Sequence, residues 1–275
     1  MTEPKATTGG ETTGERTIAD FNEQWSTYTD NDGFYGSPAL FADIIEPLLT
    51  TGELKDKTVA DIGSGTGRIV QMIAEAGAAK IVAVEPAPGS FEVLRRNTAA
   101  IADRIEYLNT DGAGLPGGDW ADYVLSIGVV HHIPEPDAVI QAAHSALKPG
   151  GQVLLWLYGH EGNEAYLRFV EPLRKLTVKM PHLLLVWLCH LLTNGLYIYA
   201  TACEYLPLPL RGYMRDVIAK LPYQKRFLVV YDQLNPHYAK YYKRHEAEEL
   251  LSKAGFKDVR THHRHGYSWS VVGTK

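Results

Sequence analysis

Cysteine is scarce in this chain: two residues, Cys189 and Cys203, in a length of 275. Both lie in one apolar stretch without metal-ligand spacing, which excludes a disulfide framework and points to reduced, buried thiols in a cytoplasmic protein. An excess of positive charge is also missing. The 27 Lys/Arg against 32 Asp/Glu leave a net charge of −5, which argues against a general nucleic-acid binder. No basic-then-apolar leader opens the sequence, so no signal peptide is expected. Met1–Thr17, rich in Thr, Gly and Glu, is expected to be a disordered tail. No His/Asp/Glu set shows metal-ligand spacing, so no metal is expected. A dinucleotide fingerprint G-x-G-x-x-G is absent too, because its third glycine would fall at 68, where the chain has Arg68.

What is present begins with Thr58–Val70, TVADIGSGTGRIV. An apolar run (Val59, Ala60, Ile62) reads as a strand that ends in a glycine-rich turn before a helix. Gly63, Gly65 and Gly67 leave no Cβ between the backbone and an approaching ligand. The helix start supplies free N–H groups suited to a carboxylate or phosphate. Further strands are expected at Lys80–Glu85, Ile105–Leu108, Asp119–Ile127 and over QVLLWLY, the stretch up to Tyr158. Helices are expected between them at Ile69–Ala76, Phe91–Ala100 and Asp137–Leu147. Five strands alternating with helices imply a parallel, doubly wound α/β sheet, with ligands at the carboxyl ends of the strands. Asp61, Glu85, Asp111 and Gly128 all fall at such ends.

The order D-x-G-x-G-x-G from Asp61 to Gly67 resembles motif I of the class I S-adenosylmethionine-dependent methyltransferases. Glu85 after the second strand, Asp111 in NTDG after the third, the acid-led fourth strand and the LKPGG turn (Leu147–Gly151) match the same family. The resemblance covers about Thr58–Tyr158 and Arg244–Thr274. It implies a Rossmann-like, mostly parallel seven-stranded sheet whose last two strands lie in GFKDVRTHHR and YSWSVVGT. It also implies S-adenosylmethionine as cofactor, with S-adenosylhomocysteine as product. Asp61, Gly63, Ser64, Gly65 and Gly67 would hold the amino-acid end, Asp61 taking the ammonium. Glu85, with Pro86, would take the ribose hydroxyls, Asp111 and Gly112 the adenine, and Gly128 would also belong to the cofactor site. The family closes its site with an N-terminal segment. Residues 18–57 are read either as such a lid or as a segment stapled to the core, with Trp25, Tyr28 and Tyr35 facing the acceptor.

Between the two matching stretches, residues 159–243 form an insertion that is expected to be mainly helical and to choose the substrate. It carries eleven Lys/Arg against six Asp/Glu, in a chain that is otherwise acidic. Leu183–Cys203 has no charged residue. It is long enough to span a bilayer, but His190, Thr193, Asn194 and Gly195 at its centre favour buried helices of a cap or dimer contact. A peripheral lipid contact through 183–203 stays open. Tyr158 and Asn163 leave the fifth strand, and Asp232, Asn235, Tyr238 and Tyr241 precede the last helix, so these are expected to wall an acceptor pocket.

The cofactor brings an activated methyl group, so the remaining chemistry is alignment and removal of the acceptor's proton. His131 and His132 follow the fourth strand and are the first candidates for the base, with His237 and Glu161 behind them. The HHRH run, His262–His265, is read as a solvated edge strand. The expected activity is methylation of a small or medium, partly apolar acceptor, at O or N rather than C. Two alternatives remain: a lipid-linked or glycan precursor at a membrane surface, and a non-catalytic S-adenosylmethionine-binding protein. The motif that base-amine methyltransferases carry after the fourth strand is absent; GVVHH stands there.

Overall fold

The computed structural model describes residues 12–275; the first eleven, most of the expected 1–17 tail, lie outside the described residues. Helices α1 (Thr13–Thr27) and α2 (Pro38–Ile45) precede β1 (Thr58–Ile62), α3 (Arg68–Glu75), β2 (Lys80–Val84), α4 (Pro88–Asn97) and β3 (Ile105–Leu108). Then come β4 (Ala121–Ile127), α5 (Asp137–Ala146) and β5 (Leu147–Tyr158). Four helices fill the insertion: α6 (Glu164–Thr177), α7 (His182–Tyr205), α8 (Arg211–Asp216) and α9 (Tyr223–Leu234). The chain finishes with α10 (Arg244–Lys253), β6 (Lys257–Arg264) and β7 (Ser268–Thr274).

The sheet has seven strands in the order β3-β2-β1-β4-β5-β7-β6. All neighbouring pairs are parallel except those made by β7, which runs antiparallel to β5 and β6. Strands β1, β2 and β7 are buried on both faces because both faces of the sheet are covered. Ala60, Ile62, Val82 and Val84 pack with α5 and α10 side chains such as Ile140 and Leu251. Val59, Ile81 and Ala83 pack on the other side with Phe41, Ile45, Val70 and Ile73. Winding reverses between β1 and β4, so the turns leaving these two strands open side by side.

Two expectations are corrected. Residues 13–17, expected to be part of a disordered tail, form the start of α1 because Thr12 and Glu15 form a reciprocal cap: Glu15 N–H donates to Thr12 Oγ1 at 3.2 Å, and Thr12 N–H donates to Glu15 Oε2 at 2.7 Å. The HHRH run is an edge strand but not a solvated one. Arg264 is buried and its Nε donates to Asp43 Oδ2 at 2.9 Å, while the His263 ring stacks on Trp269 at 4.2 Å.

Candidate active site

The glycine turn is held by the strand beside it: the N–H groups of Gly63 and Ser64 both donate to the Val84 carbonyl, at 2.8 and 2.9 Å. Gly63 has φ +78°, and a Cβ there would stand 2.4 Å from a Val129 methyl, so both conformation and space require glycine. Beyond it Gly67, at φ +84°, starts α3. Glu85 ties the turn to the next one, its Oε2 accepting from Gly65 N–H at 2.8 Å and its Oε1 from Ala87 N–H at 3.0 Å.

Asp61 is buried at the root of the turn, and its Oδ2 has no partner. Burial pushes its carboxyl from 3.8 up to about 7, and burial does the same to Glu85, from 4.5 to about 7. Both Glu85 oxygens are met by backbone N–H groups, so the unmet demand for a cation or a hydrogen-bond donor lies at Asp61 Oδ2.

Above the turn is a cavity of about 1240 Å³. One end is lined by Gly63, Ser64, Gly65, Glu85, Pro86, Asp111, Gly112 and Gly128. Asp61 and Gly67 stand behind this wall rather than on it. Asp111 is exposed, and its Oδ1 accepts from Gly114 N–H at 3.0 Å.

The N-terminal segment roofs this end. Trp25 Nε1 is 3.6 Å from where a Gly65 Cβ would be. Asn22 Oδ1 accepts from Gly89 N–H at 2.7 Å, and Asn31 Nδ2 donates to the Thr66 carbonyl at 3.1 Å. Gly14, Thr17, Ile18, Phe21, Gln24 and Trp25 form one stripe of α1 along the cavity, at spacings of three and four. Tyr35 also lines it, with the Arg68 guanidinium 4.3 Å from its ring centre. Tyr28 does not; it packs against Phe227 and Tyr231 at 5.6 and 6.1 Å.

The other end is walled by β5 and the insertion. Tyr158 donates its hydroxyl to Asp232 Oδ2, and Gln24 Nε2 donates to Asp232 Oδ1 at 3.4 Å. Burial and the Asp232 carboxylate hold the Tyr158 hydroxyl well above the ordinary phenol range, so it stays protonated. Tyr241 donates to Gln233 Oε1 and accepts from Arg174 Nη2 at 3.2 Å. Asn163 reaches the wall but is spent on the backbone, donating to the carbonyls of Gly159 and Tyr267, both at 2.7 Å. Asn235 and Tyr238 are not on the wall. Asn235 Nδ2 donates to the Asp20 carbonyl at 3.4 Å.

The four candidate bases separate. His132 lines the cavity. Its Nδ1 is 2.9 Å from the Tyr238 carbonyl, which can only accept, so Nδ1 carries the proton and Nε2 offers a lone pair. That Nε2 is buried and unpartnered. Burial holds the ring below the ordinary histidine range, opposed by the Asp232 carboxylate, so it is neutral near pH 7. His131 is a correction: it is fully buried behind the wall, stacked 3.8 Å from the Tyr158 ring centre. His237 is another, since it lies off the wall with Nδ1 2.7 Å from Asp20 Oδ2. Glu161 is the third: its Oε1 accepts from Arg244 N–H at 3.0 Å, where α10 starts, and its Oε2 from the Trp269 indole at 3.1 Å.

The sequence reading missed Phe21, Gln24, Gln233 and most of the cap wall. The T-x-x-E pattern at 12–15 would have revealed α1 and its inward stripe. The cap residues have no comparable signal.

A doubly wound sheet with a reversed last strand, a glycine turn at the switch point and acids at successive strand ends define a Rossmann-like methyltransferase domain. In this fold and in its glycine-turn motif the chain resembles the class I S-adenosylmethionine-dependent methyltransferases. Residues 59–151 match a family described as "Methyltransferase domain". An uncharacterized methyltransferase of Mycobacteroides abscessus is 33% identical over 117 residues, covering 40% of this chain and 45% of that one. A ubiquinone biosynthesis O-methyltransferase of Hydrogenovibrio crunogenus is 23% identical over 156 residues, 56% of this chain and 63% of that one. The chain thus spans about half the length of the curated relatives it matches. In fold it resembles magnesium protoporphyrin IX methyltransferase from Synechocystis with bound S-adenosylmethionine. The TM-score is 0.55 at 15% identity, over 98% of this chain and all of that one. A possible histamine N-methyltransferase from Thermotoga maritima gives a TM-score of 0.54 at 17% identity, over 94% and 99%.

The residues present fit the cofactor of this class. The unpartnered Asp61 Oδ2, just behind the wall, can take an ammonium through one water, and the glycine-rich turn admits the ligand. Glu85, Asp111 and their neighbours line the same end of the cavity.

Proposed function

We propose that this protein methylates an oxygen of a partly apolar acceptor and that His132 is the general base. The carrying observation is the His132 Nε2 atom: buried, unpartnered, fixed as an acceptor by the Tyr238 carbonyl, and on the cavity wall beyond β4. When bound, S-adenosylmethionine supplies a methyl group already activated for displacement.

The chain's own residues do the rest. Asp61, Glu85 and the Gly63–Gly67 turn would hold the cofactor, with Trp25 and α1 closing over them to exclude water. Tyr158 and Asp232 present a hydroxyl and a carboxylate to the polar part of an acceptor. Leu192, Leu196 and Tyr199 offer apolar wall to the remainder. His132, neutral at pH 7, takes the acceptor's hydroxyl proton as the oxygen is alkylated. An acceptor whose proton must leave suits a phenol or alcohol better than an amine, which already has a lone pair.

The test uses methyl-tritiated S-adenosylmethionine and a decyl-substituted catechol as probe. His132→Gln is expected to lower kcat by about 10²–10⁴-fold, with S-adenosylhomocysteine affinity by calorimetry unchanged. Transfer at the wild-type rate by that variant would refute the role of His132. Cofactor binding with no product from wild type, on this probe or in a cell extract, would favour the non-catalytic reading.

A further inference from the structure

All eleven large apolar side chains that stand exposed among the described residues lie between Tyr166 and Leu206, on the inserted cap. On α7 they make one stripe: Leu183 (75% exposed), Trp187 (77%), Leu191 (69%), Ile198 (69%) and Tyr205 (83%), spaced by four and seven residues. The stripe runs about 33 Å along the helix. The opposite face of α7 is packed, with Cys189, Thr193, Ala200 and Cys203 fully buried in the cap. A helix gripped by protein along one side and apolar along the other is not a span. It has the form of an element lying in the plane of an interface.

Charge selects the occupant. The stripe has no charged residue of its own, and α6 next to it in the chain adds exposed Phe169 and Leu176 together with exposed Arg168 and Lys175, with exposed Lys179 in the turn between the two helices. None of these three cations has an ion pair among the described residues. The insertion is net basic while the rest of the chain is strongly acidic. A negative surface would draw the cap toward it and push the sheet away, whereas a second copy would bring like-charged caps together. Phe169 also belongs to the cavity wall while being 78% exposed, so the apolar surface continues into the site.

We infer that the outer face of α6 and α7 docks on an anionic lipid bilayer and that the acceptor enters from it with an aliphatic tail past Phe169. The docking stands by itself; the acceptor part rests on the methyltransferase reading. The test is co-sedimentation of the full chain with vesicles of phosphatidylcholine containing about a third phosphatidylglycerol, against pure phosphatidylcholine. Binding to the anionic vesicles is expected, weakened by high salt. It should fall about tenfold or more in Trp187→Glu/Leu191→Glu and fall also in Lys175→Glu/Lys179→Glu, while both variants keep their melting temperature and S-adenosylhomocysteine binding. Two results overturn the docking. One is no vesicle binding by protein that binds S-adenosylhomocysteine. The other is a concentration-dependent dimer in sedimentation equilibrium, broken by the α7 variant, without vesicle binding. Vesicle binding without cofactor binding would instead sink the methyltransferase reading and leave the docking intact.

Discussion

Replacing Asp61 by Asn separates what the fold wants from what the site needs. In the folded protein the Asp61 carboxyl titrates near about 7 instead of 3.8, because burial disfavours its charge. An acid whose folded pKa is raised holds its proton longer when folded than when unfolded. Its penalty is therefore absent below about pH 4, grows between about 4 and 7, and is complete above 7. At pH 8 the charge costs about 4 kcal/mol. Asn removes it but leaves a buried amide to satisfy, offsetting about 1–2 kcal/mol. Asp61→Asn should thus be the more stable protein at pH 8 by about 2–3 kcal/mol, melting on the order of 5–10 °C higher. The gain should shrink as pH falls toward 4. Affinity should move the other way: S-adenosylhomocysteine binding weakens by about 10–100-fold, the loss of one charge-assisted hydrogen bond. In wild type the affinity should fall by up to about tenfold per pH unit below about 7. Melts at pH 5 and 8, with calorimetric titrations over the same range, decide the matter. A variant that melts lower at pH 8 and binds the ligand as tightly as wild type would refute the reasoning.

Other substitutions probe separate parts of the account. Gly63→Ala meets Val129 at 2.4 Å on top of its φ of +78°; it should lose about 2–4 kcal/mol, and Val129→Ala in the same chain should restore part of that, read by chemical denaturation. Asp43→Ala leaves Arg264, 3% exposed, without its carboxylate; about 3–5 kcal/mol of stability should go, with S-adenosylhomocysteine affinity at saturating folded protein unchanged. Trp25→Ala removes the roof over Gly65 and should weaken S-adenosylhomocysteine binding by about tenfold or more, while leaving the melting temperature of the ligand-free protein within a few degrees.

The glycine turn and the acids beside it were legible because their parts are local. A strand, a turn that needs glycine and an acid at the next strand end leave their marks within a few residues of each other, as Asp61–Gly67 and Glu85 show. The other end of the cavity is built from pairs distant in sequence. Tyr158 meets Asp232 and Gln24 meets Asp232 only through the packing of α9 against the rest, which no spacing encodes. The histidine pair shows the limit at its finest. His131 and His132 are adjacent in one tight turn, and whether each ring faces core or cavity depends on Tyr158 and Tyr238, far along the chain. His237 and Glu161 have the right chemistry near the right strand ends, yet both are engaged elsewhere, one with Asp20 and one with the start of α10. The cap was legible as helical and apolar, but not which face of α7 would be left uncovered.

The most direct test of the central claim is a calorimetric titration of the purified chain with S-adenosylhomocysteine, beside one with NADH. One-to-one binding of S-adenosylhomocysteine, tighter at pH 8 than at pH 6, with no heat from NADH, is the predicted result. Binding of NADH in its place, by a protein that shows cooperative melting, would contradict the account.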